Sequence, residues 1–142
     1  MADDIHFIVT ELNSFEPVEE ASNIQRLYEI LKGVDSLPNR EEALPAMFGL
    51  IERCCDEDLG APGPLVHEIE AIRGYEESLI ESLTRKPTLL TTWMANRILN
   101  AALDVKGREK WLSVLSNVTA HSLAPEDVRS LAYDFIERHL GT

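Results

Sequence analysis

Apolar residues recur at helical spacing along nearly the whole of this 142-residue chain, and this feature limits its fold most strongly. In the first such segment Ile5, Ile8 and Leu12 fall about one turn apart, so they share one face of a helix. Three later segments repeat the pattern. Alternation with a period of two, which marks a half-buried strand, does not extend over a useful length. The sequence therefore predicts an all-α fold of seven to eight helices.

The spacing of three prolines bears on how these helices are arranged. Pro45, Pro87 and Pro125 are 42 and 38 residues apart, and apolar residues follow each of them by three and by six positions. A period near 40 is typical of HEAT-type helical hairpins, in which each hairpin buries its apolar face on its neighbours. Because helices of similar length also repeat by chance, the sequence leaves open a helical bundle or a short HEAT-like stack.

Charge divides the chain into two halves. The length fits a single domain over residues 1–142, and the segment 58–64, with its glycines and prolines, is the clearest loop. Residues 1–62 hold 14 Asp and Glu against 4 Lys and Arg, a net charge of −10, whereas residues 63–142 hold 11 against 9, a net charge of −2. We therefore expect one all-helical domain with an acidic N-terminal half and a near-neutral C-terminal half.

Several local signals predict helix boundaries and core positions. Asn39, followed three residues later by Glu42, has the pattern of a capping box at a helix start. Pro64 suits the first turn of a helix, and Gly74 interrupts the apolar pattern of residues 65–86, which predicts a bend or a break. Trp93 lies in a segment that is apolar on most sides, so we expect this side chain in the core.

No catalytic or metal-binding pattern stands out. His67-Glu68 begins like the HExxH motif of zinc proteases, but Ala71 stands where the second histidine ligand is required. Cys54 and Cys55, the only cysteines, lie on the apolar stripe of their helix, which favours buried hydrophobic residues over nucleophiles. We therefore expect no enzyme activity, no catalytic residue, no metal and no cofactor. An enzyme with a helical carboxylate site is the least favoured alternative.

The composition also bears on location and on excluded partners. The first four residues, Met-Ala-Asp-Asp, are acidic where a secretory signal is basic, and no apolar stretch follows them. No apolar run approaches the ~20 residues that span a bilayer. Two adjacent cysteines suit a reducing compartment, so we expect a cytoplasmic protein that does not bind membranes. The acidic balance argues against binding to nucleic acid, which requires Lys and Arg at the phosphates.

The acidic residues themselves predict a binding surface. In residues 1–62 most of the 14 acidic side chains cannot be paired with only four basic ones, and unpaired surface charge repels itself. A basic partner would relieve this repulsion. We predict contacts to such a partner at Asp56, Glu57 and Asp58 in the loop and at Glu76 and Glu77. The alternative interpretation is that these charges serve solubility alone.

Four short segments within residues 64–101 carry a family resemblance. They are Ile-Glu at 69–70, Gly-Tyr at 74–75, Ser-Leu-Thr-Arg-Lys-Pro at 82–87 and Asn-Arg-Ile-Leu-Asn at 96–100. This stretch, about a quarter of the chain, resembles small all-helical immunity proteins of bacterial polymorphic-toxin and contact-dependent inhibition systems. The acidic N-terminal half lies outside the resemblance, and no functional residue of such a family can be matched to a position here.

The resemblance implies a protein that binds and neutralises a cognate toxin domain. Many toxins of such systems are nucleases with basic clefts, which an acidic inhibitor would meet with complementary charge. The alternative is a helical-repeat adaptor that uses the same acidic surface for another basic partner. The sequence predicts neither the oligomeric state nor whether inhibition would occlude the active site or a separate site.

Overall fold

The computed structural model describes residues 2–18, 22–60, 63–101 and 103–141. Within these ranges the chain forms eight α-helices and no strand, which confirms the all-α prediction. The helices are α1 (Ala2–Asn13), α2 (Asn23–Leu31), α3 (Leu44–Arg53), α4 (Gly63–Glu70), α5 (Tyr75–Arg85), α6 (Leu89–Asn100), α7 (Val105–Thr119) and α8 (Glu126–Leu140). Two short 3₁₀ turns, Val34–Ser36 and Arg40–Ala43, lie between α2 and α3. Of the predicted loop at 58–64, Ala61 and Pro62 lie outside the described residues.

The chain divides into two compact units, here called unit 1 (Met1–Ser78) and unit 2 (Leu79–Thr142). Their boundary falls within α5 and not at the loop. The charge follows this boundary more sharply than it follows the loop: unit 1 holds 18 Asp and Glu against 5 Lys and Arg, a net charge of −13, and unit 2 holds 7 against 8, a net charge of +1. The prediction of a single domain stays a prediction.

The core of unit 1 is built from the apolar stripes of its four complete helices. α1 packs on α3 and on the second 3₁₀ turn, and α2 packs on α4. The side chains with no exposed surface come from each of these helices and include Leu12, Leu27, Met47, Leu50 and Ile69. Burying a side chain of this size contributes about 1.5–3 kcal/mol relative to leaving it exposed. The helical spacing of the sequence therefore identifies the faces that hold this unit together.

Unit 2 contains a three-helix arrangement in which α6, α7 and α8 each pack on the other two. Its core includes Leu79, Met94, Leu115 and Ala132, all without exposed surface, and Trp111, which is 5% exposed. Within each unit this packing is compatible with a helical bundle or a stack, so both predicted arrangements stay open.

The helix starts show both confirmed and wrong predictions. Asn39 does not form the predicted capping box, because its backbone (φ −115°, ψ 31°) is not in the extended conformation of an N-cap and the chain enters a 3₁₀ turn. Its Oδ1 is buried without a hydrogen-bond partner. The capping box lies instead at α6, where Thr88 Oγ1 accepts from Thr91 N and Thr91 Oγ1 accepts from Thr88 N, each at 3.1 Å. Pro64 is the second residue of α4, as predicted.

The proposed repeat of about 40 residues has no counterpart at the three prolines. Pro45 is the second residue of α3, Pro125 is the N-cap of α8, and Pro87 precedes the N-cap of α6. Each therefore holds a different place relative to its helix. Gly74, by contrast, produces the predicted break: its φ of +86° belongs to the left-handed region that favours glycine, and it lies between α4 and α5.

The prediction for Trp93 is wrong, because this side chain is half-buried and Trp111 is the buried tryptophan of unit 2. The guanidinium of Arg97, one turn further along α6, lies 4.9 Å from the centre of a Trp93 ring. Asn96, which is 9% exposed, accepts a hydrogen bond from His139 Nε2 at 2.8 Å and so joins α6 to α8.

Candidate protein-binding surface

The predicted contact residues Asp56, Glu57 and Asp58 lie in the turn that follows α3, and all three are exposed. Local hydrogen bonds fix this turn. Glu57 N donates to Cys54 O at 3.0 Å, and Gly60 N donates to Asp58 Oδ1 at 3.0 Å. The three carboxylates are therefore held on a short, defined segment of unit 1 at the surface.

The other predicted contacts, Glu76 and Glu77, lie in the first turn of α5. Glu77 is exposed and Glu76 is half-buried. A helix N-terminus favours negative charge, because its backbone N–H groups point outward and the helix dipole is positive there. These two residues therefore have a structural reason to be acidic as well as the predicted binding role. Both belong to unit 1, on a segment separated along the chain from the turn at 56–58 by α4.

Two arginines of unit 1 donate to backbone carbonyls at or just after the end of α1. Arg53 donates to Leu12 O at 3.1 Å and to Phe15 O at 3.4 Å. Arg26 donates to Glu16 O at 2.8 Å, and its guanidinium lies 4.4 Å from the centre of the Phe15 ring. The last carbonyls of a helix have no partner within the helix, and cationic donors there also interact favourably with the dipole. Arg53 therefore serves the last turn of α1, and Arg26 holds the segment that follows this helix.

Arg40 has a similar role at a second place in unit 1. It donates to Ala71 O, just beyond α4, at 2.8 Å and to Asp35 O at 3.4 Å. Three of the five Lys and Arg residues of unit 1 thus donate to backbone carbonyls. A guanidinium held in this way has fewer N–H groups for carboxylates, while the formal charge of the unit stays at −13.

Cys54, at the end of α3, does not have the environment of a nucleophile. It is buried as predicted, whereas Cys55 is half-buried and so departs from the prediction that both cysteines are buried. Burial raises the pKa of the Cys54 thiol, the carboxylates of Glu16 and Glu57 act in the same direction, and Arg53 opposes them. A reactive cysteine requires the opposite shift, since the thiolate is the nucleophile. Cys54 therefore acts as a small buried hydrophobic side chain, as the apolar stripe predicts.

An open groove between α2 and α4 contains acidic residues that the sequence did not single out. It has a volume of about 390 Å³, and its lining includes Tyr28, Glu29, Asp35 and Glu68. Burial raises the pKa of Glu68, and the negative charge of Asp35 raises it further. These residues belong to three separate segments, so no spacing in the sequence links them. One signal was present in the sequence: Tyr28 lies at helical spacing with Ile24 and Leu31, and it is the member of that apolar stripe with a polar group.

The groove of unit 2 differs in its charge. It has a volume of about 280 Å³, and its lining includes Tyr133 with one cation, Arg129, and one carboxylate, Asp134. Arg129 also donates to His121 O at 2.8 Å. This groove therefore offers an aromatic ring without an excess of negative charge, and it provides a natural comparison for the groove of unit 1.

Comparisons with known proteins and the search for metal sites add no further assignment. No protein-family model, curated protein or solved structure matches the chain. Within the described ranges, no group of three or more His, Cys, Asp and Glu side chains could hold a metal ion. In the same part of the chain no helix is both long enough and apolar enough to cross a membrane. The resemblance of residues 64–101 to immunity proteins stays a prediction.

Proposed function

We propose that this chain is an immunity protein, which binds a cognate bacterial toxin domain through the acidic surface of unit 1 and so neutralises it. The observation that carries the proposal is the concentration of charge: unit 1 has a net charge of −13 and unit 2 of +1. Uniform solubility would not require this difference between two parts of one chain. A binding surface for a basic protein needs such an excess of negative charge in the unit that meets the partner.

The arrangement of side chains supports the same conclusion. Arginines of unit 1 are held on backbone carbonyls, and the carboxylates of Asp56, Glu57 and Asp58 are exposed on a turn that its own hydrogen bonds define. A preorganised acidic turn loses little conformational entropy when a partner docks on it. Glu76 and Glu77 at the start of α5 supply a second acidic segment of the same unit. Inhibition by occupying a surface needs no catalytic group.

The chemistry of this surface selects the class of partner. A basic toxin domain, such as a nuclease whose cleft accepts phosphates, would be attracted by a negative potential, which raises association rates by about 10–10³ and declines as salt is added. Nucleic acid and anionic membranes would be repelled. The protein would act in the cytoplasm, where a nuclease toxin would meet its substrate.

The experiment that tests the proposal combines protection with binding. The chain is co-expressed with the toxin encoded beside its gene, and the tagged protein is then captured at low and at high salt. We expect survival of the cells and one basic toxin partner that is released at high salt. Absence of both protection and a complex would contradict the proposal, and capture of an unrelated basic protein without protection would favour the adaptor.

A charge-reversal pair locates the surface. The triple variant Asp56→Lys, Glu57→Lys and Asp58→Lys should lower the association rate by about ten- to a hundredfold at low salt. The control reverses three exposed acidic residues of unit 2 and changes the net charge equally: Glu81→Lys, Glu109→Lys and Asp134→Lys. Equal losses in the two triple variants would show that only net charge matters and would reject the turn as the contact.

A further inference from the structure

The groove between α2 and α4 combines an aromatic ring, an apolar lining and carboxylates. Tyr28 is 54% exposed, whereas Leu31 and Pro64 are buried, and all three contribute to the lining. The volume of about 390 Å³ lies within the range of about 300–1,000 Å³ that is usual for small-ligand sites. The groove is therefore large enough to hold a side chain of another protein and not only solvent.

The charges that line the groove are mostly negative. Glu29, Asp35 and Glu68 contribute carboxylates, Lys32 contributes one ammonium group, and the imidazole of His67 lies in the same lining. His67 and Arg40 both act to lower the pKa of Glu68, and the Arg40 guanidinium donates to Asp35 O and Ala71 O. The net effect on Glu68 is a raised pKa, with burial as the main cause and Asp35 as the second. Negative charge in this groove is therefore incompletely balanced.

We propose that this groove receives an arginine side chain of the toxin partner, an inference that rests on the function proposed above. An arginine fits each part of the lining. Its guanidinium is planar and weakly hydrated, so it stacks on an aromatic face such as that of Tyr28 and donates to carboxylates such as Glu29 and Glu68. Its aliphatic part lies against the Tyr28 ring and the small apolar area that Leu31 and Pro64 present to the groove.

Charge complementarity favours this occupant over others. The carboxylates repel phosphate and carboxylate groups, and an apolar side chain would leave the half-buried Glu68 carboxylate without a donor at a cost in free energy. The groove of unit 2, with Arg129 and Asp134 in its lining, has no comparable excess of negative charge. The acidic groove of unit 1 is therefore the candidate arginine site, and the groove of unit 2 serves as a control in the same molecule.

The test uses the full chain and a defined probe, Nα-acetyl-arginine amide, in an NMR titration of the backbone amides. The control ligand is the citrulline analogue, which has a similar shape without the charge. We expect arginine to shift amides around Tyr28, Glu29 and Glu68 and to leave those around Tyr133 unchanged. Equal shifts with citrulline, or shifts around both tyrosines, would overturn the inference.

Matched variants separate this groove from general charge. Glu68→Gln should weaken arginine binding by about fivefold, because it removes a half-buried carboxylate. Glu41→Gln changes the net charge equally at an exposed residue that is not part of the lining, and its affinity should match that of the unaltered chain. Equal weakening in both variants would mean that the probe senses only the net charge of unit 1, which would overturn the inference.

The partner itself distinguishes the two proposals. If the toxin is captured and protection is intact, Tyr28→Ala and Glu68→Gln should each accelerate its dissociation. Unchanged dissociation in both variants would overturn the groove inference and leave the immunity function standing. If no toxin is bound but the groove still selects arginine over citrulline, the immunity function fails while the site for arginine remains. Tyr28 is suited to this test because its side chain is already mostly exposed.

Discussion

Units 1 and 2 use some of their arginines alike but differ by 14 in net charge. In unit 1 Arg53 donates to the carbonyl of Leu12 in the last turn of α1, and in unit 2 Arg108 donates to the carbonyl of His139 near the end of α8. Satisfying helix ends therefore requires a few cations in either unit. The remaining surface charge is not needed for this task, so it is available for the binding role proposed above.

The first and largest test concerns the two tryptophans, both of which lie in unit 2. Trp111→Ala removes a side chain that is 5% exposed and should lower the free energy of unfolding by about 3–5 kcal/mol. Trp93→Ala removes a half-buried ring and its contact with Arg97, for a loss of about 1–2 kcal/mol. Urea unfolding, followed by the fluorescence of the remaining tryptophan, measures both, and equal losses would contradict the difference in burial.

The second test concerns the arginines of unit 1. Arg53→Met should cost about 1–2 kcal/mol, because Leu12 O and Phe15 O lose a charged donor. Arg73→Met, at an exposed position of the same unit, removes the same charge and serves as the control. Hydrogen exchange of amides in α1 should accelerate in the first variant only. If both variants accelerate exchange equally, net charge and not the contact with the carbonyls is responsible.

A smaller effect compares one helical glycine from each unit. Gly49→Ala in α3 should stabilise unit 1 by about 0.5–1 kcal/mol, because an added Cβ meets only Arg53 Nη1 at 3.9 Å. Gly107→Ala in α7 should bring no such gain, since its Cβ would lie 3.0 Å from Asp104 Oδ1, which accepts from Gly107 N as the N-cap. Thermal unfolding followed by circular dichroism measures both variants. A gain for Gly107→Ala would show that the cap adjusts freely.

The smallest expected effect is a dependence on pH that belongs to unit 2. Burial and the positive charge of Arg108 lower the pKa of His139 below its usual value of 6.5, so the fold disfavours the protonated ring. The stability from the neutral ring is present above pH 6.5 and is lost as the pH falls below that value toward the lower pKa of the folded state.

Urea midpoints at pH 7 and pH 5 measure this dependence. His139→Gln should show a smaller loss between the two values than the unaltered chain, because glutamine does not titrate. His6→Gln alters an exposed histidine of unit 1 and should lose as much as the unaltered chain. The assignment to His139 fails if His139→Gln retains the full loss.

The apolar periodicity and the break at Gly74 could be predicted from the sequence because both act locally, although the equally local capping-box pattern at Asn39 gave a wrong prediction. Apolar spacing determined the buried faces of the helices, and the break at Gly74 followed from the backbone freedom of glycine. Positions that depend on distant contacts were not predictable. Trp93 and Trp111 both lie on helices, and only the packing of α6, α7 and α8 determines that the second is buried.

The candidate surface also has features that could be predicted from the sequence and features that could not. The exposure of Asp56, Glu57 and Asp58 could be expected from a polar turn. The groove could not, because α2 and α4 meet only in the folded chain. The sequence analysis placed the change in charge at residue 62, within the loop, whereas the two packed units divide at residue 78. A loop shows where one helix ends and the next begins, but it does not show which helices pack together.

The turn between α3 and α4 also constrains how this chain can evolve. At Gly60, which has φ +97°, an added Cβ would stand 2.5 Å from the Cα of Gly63. Because this Cα belongs to the backbone, it cannot rotate away as the end of a side chain could. Gly63 itself has φ +77°. Surface carboxylates can be exchanged without strain in the backbone, but these two glycines tolerate little substitution. Descendants of this chain should therefore keep two glycines, three positions apart, after their acidic residues have changed.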